Sequence, residues 1–485
     1  MLPNRDKYLW LFGIIGFFFI IYCSISLVNH YLFRTYALDL GMFNQAIRNA
    51  AFLQKPIFTL DVTGKEMPFL ATHFSPAIFI FAPLYHIFGN YTLLLVQIVA
   101  ILTGGVGAYC YSKWRMSGDL VTSSIILIHF LSIWGIYSAL TYDFHSNVLG
   151  AMLVPWFFLF YEQKRYKHAL LVLTLALLTI ETMSIWFAFI IVGLAFSNFD
   201  RKKFFQVDLP FLTFCLLAGY VIIFVIMPWL QNSHGNLQFN RYLWLGSTPI
   251  QVVTRLIESP QTLLKVLFTN TTGNSDYDYI KLEFHAMVLL SGGLLFAFKP
   301  RFLFMLVPIY LQKLIPNEYN LWGISNQYSI EFVPILSITA IAFLSEIRPN
   351  LRRYLAITIA AITLGATIYT MENRVSKWYD GINTRFYSKV HYQTDKNIKR
   401  IKAGLKVTED SRIVSASSRL APHLKSEKIY HFPVVNDAEY IAILIKGSTW
   451  PMNEVDFQQA IDTLKKSKSF KMLYIDKDLL IFKRE

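Results

Sequence analysis

Charge and cysteine are what this chain of 485 residues has least of. Asp, Glu, Lys and Arg together make up 16% of it, against about 25% in soluble domains. By contrast, 54% is hydrophobic and 16% aromatic. That richness excludes a disordered chain, a collagen-like chain and a coiled coil, and argues against a cytosolic enzyme. The three cysteines, Cys23, Cys110 and Cys215, all lie inside apolar runs. They are too few and too scattered for a disulfide framework or a thiolate metal site, and read as small core hydrophobes. The sequence also lacks a glycine-rich phosphate loop, a zinc-ligand spacing, a Gly-x-Ser-x-Gly elbow, an internal repeat and any low-complexity tract. What remains is a multispanning membrane protein, provided that the apolar residues form runs of spanning length.

They do. A helix needs roughly 20 apolar residues to cross about 30 Å of hydrocarbon. Uncharged runs occupy 9–28, 92–112, 120–140, 209–230 and 354–371, and shorter ones 148–161, 284–298, 302–312 and 334–344. The stretch 168–198 is too long for one upright crossing and holds Glu181 near its middle, which predicts two short helices meeting there, with one long tilted helix as the alternative. The first run exceeds the roughly 7–15 apolar residues of a signal peptide, and no small-x-small cleavage site follows it. It is expected to stay as an uncleaved helix. The expected fold is all-α and polytopic, with about eleven transmembrane helices and a re-entrant or interfacial helix at 77–88.

The net charge of +14 follows this topology. Basic residues cluster at Arg5/Lys7, Lys113/Arg115, Lys164/Arg165/Lys167, Arg201/Lys202/Lys203, Lys299/Arg301 and Arg348/Arg352/Arg353. They recur every second time the chain leaves the membrane, the positive-inside pattern. No nucleic-acid partner is needed to explain them. The expected topology has a cytoplasmic N-terminus and the C-terminal region on the far side. Residues 1–371 would form the membrane domain, with outer loops at 30–76 and 231–283. Residues 372–485 would form a soluble extracytoplasmic α/β domain. Strand character appears at 411–417, 428–432 and 440–446, an amphipathic helix at 456–467, and two strands around an Asp-Lys-Asp turn at 472–482.

Ionisable groups near hydrocarbon are costly, so their positions carry information. They gather at the outer ends of spans: TYALDLGMFNQAIRN (35–49), ATHFSPAIF (71–79), TYDFHSN (141–147), Glu181, and NEYNLWGISNQYSIEFVP (317–334) with Lys313 before it and Tyr328 within it. Each has a structural alternative. Asp39 before Gly41 and the Asp143/His145 pair can cap helices, His73 before a Ser-Pro step can be purely structural, and Glu181 can be a solvated hairpin tip. The functional reading makes Asp39 a general base toward an acceptor hydroxyl. Asp143, His145 and His73 would hold a divalent cation such as Mg or Mn, or contact a phosphate. Arg34, Arg48 and Lys313 would neutralise phosphate oxygens, with Gln45, Glu181 and Tyr328 as further substrate contacts.

The same segments carry a resemblance. An Asp just after the first span, a His step into a re-entrant helix and an acidic turn two spans later resemble the GT-C superfamily. LDLGMFNQ (38–45), THFSP (72–76), YDFH (142–145), the Glu181 step and SASSRLAPHLKSEKIYHFP (415–433) also resemble a prokaryotic family of predicted membrane proteins that is itself GT-C-like. The family pattern has Asp at Asn44, Trp at Arg48, Lys-Glu-Asp at Ile180-Glu181-Thr182, and His at Gln327. Asp39, His73, Asp143 and His145 match it. The resemblance implies a multispanning glycosyltransferase that takes a sugar from a polyprenyl-phosphate donor to a glycan, lipid or protein acceptor. It implies Asp39 as base and the Asp143, His145 and His73 group at the donor phosphate or a metal. A transporter or lipid-flipping protein, and a non-catalytic scaffold, are the alternatives.

Overall fold

The computed structural model of the protein describes residues 4–196, 199–231, 237–376 and 380–485. Residues 232–236 of the expected outer loop and 377–379 of the expected tail domain lie outside the described residues. Every uncharged run becomes helical. The run 9–28 lies in Asn4–Tyr31, 92–112 in Thr92–Arg115 and 354–371 in Pro349–Glu372. The run 120–140 is two helices, Leu120–Ser132 and Trp134–Thr141, bent by 41°. Glu181 sits in a tight turn between Tyr166–Leu177 and Met183–Ala195, as its position predicted.

Among the described residues, four helices have the length and apolarity to cross a membrane, or five if the bent pair is one span. The expected eleven crossings are not reached by helices of that length. Tyr166–Leu177, Met183–Ala195 and Phe332–Ser345 have 12, 13 and 14 residues. At 1.5 Å per residue they rise about 18–21 Å, short of the hydrocarbon thickness. The segment expected as a re-entrant or interfacial helix, 77–88, is helical. Pro76–Leu84 is a 3-10 helix with Pro83 inside it, where the ring removes a donor and disfavours regular α-helix. It runs on through Tyr85–Phe88 and Gly89–Tyr91 into Thr92–Arg115.

By compactness the chain forms two units. The first comprises residues 1–21, 98–141 and 146–385. It is a helical bundle in which Ser146–Glu162 pairs with Tyr166–Leu177, Met183–Ala195 with Pro300–Leu314, and Leu120–Ser132 with Pro349–Glu372. Small residues let backbones approach without a side chain between them. A Cβ on Gly135 would lie 2.6 Å from the carbonyl oxygen of Ser329, so only glycine fits there.

The second unit comprises residues 22–97, 142–145 and 386–485. The first helix ends in a Schellman motif, with Arg34 N–H on the Asn29 carbonyl and Phe33 N–H on that of His30. Phe33 takes the left-handed position, at φ 57°, where glycine is usual. Its ring is buried 4.0 Å from that of His423. The chain then makes a π-helical turn, Ala37–Gly41, and the amphipathic helix Met42–Ala51. Strands β1 (Ile57–Phe58) and β2 (Met67–Pro68) pair antiparallel.

The tail contributes β3 (Ile413–Ala416), β4 (Lys428–His431), β5 (Tyr440–Leu444), β6 (Phe470–Ile475) and β7 (Leu479–Arg484). All five expected strands are present. They form one sheet in the order β4-β3-β5-β7-β6, with β3 parallel to both neighbours and β7 antiparallel to both of its own. Phe457, Ile461 and Leu464 of the helix Glu454–Lys466 cover Ile441, Ile443, Leu480 and Phe482. Their i, i+4, i+7 spacing makes that helix amphipathic.

Candidate functional site

Within the second unit, three segments distant in sequence meet around the π-helical turn. Asp143 lies at the head of the turn 142–145 with φ 61°, a left-handed conformation that Asp tolerates better than most residues. Its side chain is buried, and Oδ2 accepts the backbone N–H groups of Tyr36 at 2.7 Å and Leu40 at 3.3 Å. Asp143 therefore caps the first turn of the very element that carries Asp39. A carboxyl cap from another segment replaces the local side chain that usually satisfies those N–H groups. Two residues on, His145 Nε2 lies 3.1 Å from Asp39 Oδ1. An ionised carboxylate only accepts, so this nitrogen donates. Nδ1 is buried and makes no hydrogen bond among the described residues.

Gln97 holds that turn from behind. Its Nε2 donates to the Asp143 carbonyl and its Oε1 accepts the His145 N–H, both at 2.9 Å. Gln97 is fully buried, so a lost partner there would leave a costly unpaired group. Nothing singled it out in the sequence except that an amide interrupts the uncharged run 92–112. Aromatic rings continue the wall. Tyr142 stacks on His145 with centroids 5.5 Å apart, and Tyr36 lies 6.4 Å from Tyr142. Arg419, also unanticipated, places its guanidinium 5.4 Å from the Tyr36 ring and donates from Nη2 to the Tyr36 hydroxyl at 3.3 Å. Burial, and next the nearby Asp39 carboxylate, hold Asp143 well above the ordinary carboxylate range. The two N–H donors and the Arg419 charge oppose that shift.

The other expected site residues divide. His73 stacks on Phe43 at 6.3 Å, and Phe43 meets Phe144 edge-on at 5.0 Å. It is thus one ring removed from the Asp143/His145 turn. Arg34 donates to Asn29 Oδ1 and to the carbonyls of His391 and Gln393, fastening the start of the tail. Gln45 donates to Thr59 Oγ1 and the Glu427 carbonyl, and Arg48 to the Lys425 carbonyl. These three side chains join parts of the second unit. Glu181, Lys313 and Tyr328 belong to the first. Lys313 is buried and donates to the carbonyls of Leu321 at 2.7 Å and Gly323 at 2.6 Å. Tyr328 is half-buried before Phe332–Ser345, and the Glu181 carbonyl accepts from Ser184 Oγ.

Two polar atoms of the expected cation ligands are already engaged. Asp143 Oδ2 faces two N–H dipoles, whose positive ends oppose a cation, and the Nε2 of His145 is directed at Asp39. Among the described residues no group of three or more His, Cys, Asp or Glu side chains can hold an ion.

Apolar spans, a helical bundle and a small terminal sheet define a multi-pass membrane protein. Its fold is GT-C-like. It superposes on ArnT from Cupriavidus metallidurans bound to undecaprenyl phosphate with a TM-score of 0.56 and 11% identity, over 99% of this chain and 98% of that one. The apo state of the same ArnT gives 0.54 and 10% over the same shares. No curated protein sequence matches the chain significantly. Residues 29–480 match the family model for predicted membrane protein DUF2079, and the chain belongs to that family.

Proposed function

We propose that this chain is an integral membrane glycosyltransferase, moving a sugar from a polyprenyl-phosphate donor to an acceptor hydroxyl at the outer face of a bacterial inner membrane. The observation that carries the reading is the state of Asp39. One carboxylate oxygen is held by His145, and the other makes no hydrogen bond among the described residues. The side chain keeps 22% exposure. A base needs a positioned, accessible oxygen, and the Asp143 cap and Gln97 clamp supply the positioning.

In the proposed reaction, Asp39 takes the proton of the acceptor hydroxyl as that oxygen bonds to the anomeric carbon. The bond from that carbon to the phosphate oxygen breaks, and the polyprenyl phosphate leaves with the electron pair. The fold shared with an ArnT that binds undecaprenyl phosphate supports a lipid-linked donor. The basic clusters between spans support the orientation. The test is transfer from a labelled polyprenyl-phosphate sugar by purified Asp39→Asn. Turnover should fall about 10²- to 10⁴-fold with the fold intact, whereas turnover like that of the unmodified protein removes Asp39 as the base.

A further inference from the structure

The tail sheet delivers a cation to this site. β3 runs parallel to β4 on one side and β5 on the other, so its carboxyl end is a point where the strand order reverses. Ligands of parallel sheets bind in the crevice outside such a point. Residues 417–419 follow directly. Ser417 Oγ accepts the Leu444 N–H at 3.0 Å, Ser418 Oγ accepts the Ala37 N–H at 3.5 Å, and Arg419 reaches Tyr36. Gly447, at φ 136°, follows β5, and a Cβ there would lie 3.4 Å from the Arg419 side chain.

Arg419 differs from the other arginines of residues 386–485. Arg400 is paired with Asp476, and Arg412 with Glu427, while Arg484 donates to the carbonyls of Ala438, Val435 and Asn436. Arg419 forms no ion pair among the described residues, and its Nε is buried without a hydrogen bond. A half-buried guanidinium with unused donors, beside the turn that bears Asp39, has the geometry and charge to take a planar fork of anionic oxygens. Tyr36 and Tyr142 flank the path from Arg419 to His145 and Asp39.

We propose that Arg419 is the anion-binding residue of this site, its ligand a phosphate monoester or diester. The proposal rests on the glycosyltransferase reading only for the source of that phosphate. The test uses the full chain purified in detergent, titrated with farnesyl phosphate, farnesol and inorganic phosphate. Farnesyl phosphate should bind saturably, about tenfold or more weakly to Arg419→Gln, and at an intermediate strength to Arg419→Lys. Arg412→Gln, an exposed control on the same domain, should bind like the unmodified protein, and farnesol should not distinguish the variants. Inorganic phosphate that competes fully identifies free phosphate as a sufficient ligand. Competition by farnesyl phosphate alone identifies the lipid ester, and either supports the assignment.

Equal farnesyl phosphate affinity in Arg419→Gln and the unmodified protein, at the same thermal midpoint, overturns it. If the Gln variant fails to fold, undiminished affinity in Arg419→Lys, which keeps the charge but not the fork, overturns it instead. Asp39→Asn should still bind farnesyl phosphate. Loss of binding in Arg419→Gln without any sugar transfer by the unmodified protein would therefore retire the enzyme reading and keep this one.

Discussion

Two buried polar clusters, one in each unit, use charge in opposite ways. In the first unit Lys313 directs its donors at the carbonyls of Leu321 and Gly323, with the Phe284 ring 4.9 Å away. Lys281 does the same with the carbonyls of Val266 and Leu314, 4.0 Å from the Trp322 ring. These ammonium groups satisfy carbonyls that helices leave open at their ends. In the second unit Asp143 and Gln97 are equally engaged, but Asp39 and Arg419 keep polar atoms without partners among the described residues. A buried charge whose bonds are all made holds structure together. One with a bond left over, supported by neighbours that are satisfied, is where a substrate can enter.

The comparison breaks most sharply at Asp39. Asp39→Asn should abolish transfer about 10²- to 10⁴-fold at unchanged stability, whereas no substitution at Lys313 should act on turnover per folded molecule. Lys313→Met should instead destabilise the first unit by about 1–3 kcal/mol, the cost of leaving buried carbonyls unpaired. Thermal unfolding with tracking of turnover per folded molecule checks both. A Lys313→Met protein that is stable but inactive would erase the distinction.

Acidification probes the tail sheet of the second unit through two histidines. Burial, then His30 and Lys402, holds His423 well below its ordinary value, and burial lowers His431 to about 4. Both bind protons in the unfolded chain first, so stability is full above about pH 6.5 and falls as pH drops toward the folded values. His431 alone should cost about 2 kcal/mol by pH 5. Hydrogen exchange over 415–432 between pH 7.5 and 5 should show that loss, and His423→Phe should reduce the slope.

The smallest effect concerns Asp143. Asp143→Asn retains an oxygen for the Tyr36 and Leu40 N–H groups and should fold and position Asp39 almost as before. Asp143→Ala should lose about 1 kcal/mol and lower turnover without changing the affinity for farnesyl phosphate. A fall in that affinity would return Asp143 to the phosphate-contact role.

Helix positions were legible because apolar runs of 17 or more residues admit few alternatives. The tail strands were legible too, from SRIVSAS, KIYHF and YIAILIK with the helix between them and the last hairpin. The number of crossings was not. Hydropathy and the position of Glu181 mark 166–177 and 183–195 as two short apolar helices, but carry no count of crossings for helices of 12 and 13 residues. Asp39, Asp143 and His145 were identifiable as residue types in motifs. Gln97 and Arg419 were not, because a single amide in an apolar run and one arginine among several carry no periodic signal.

The sequence by itself determined a membrane chain, its helical segments, an α/β tail and the candidate acids and histidines, since those depend on local composition and on spacing along one strand or helix. Only the tertiary structure decided which of them meet. His145 reaches Asp39 across 106 positions and Asp143 caps the Asp39 turn across 107 and 103. A hydrogen bond between segments that far apart depends on packing, not on anything either segment prefers alone.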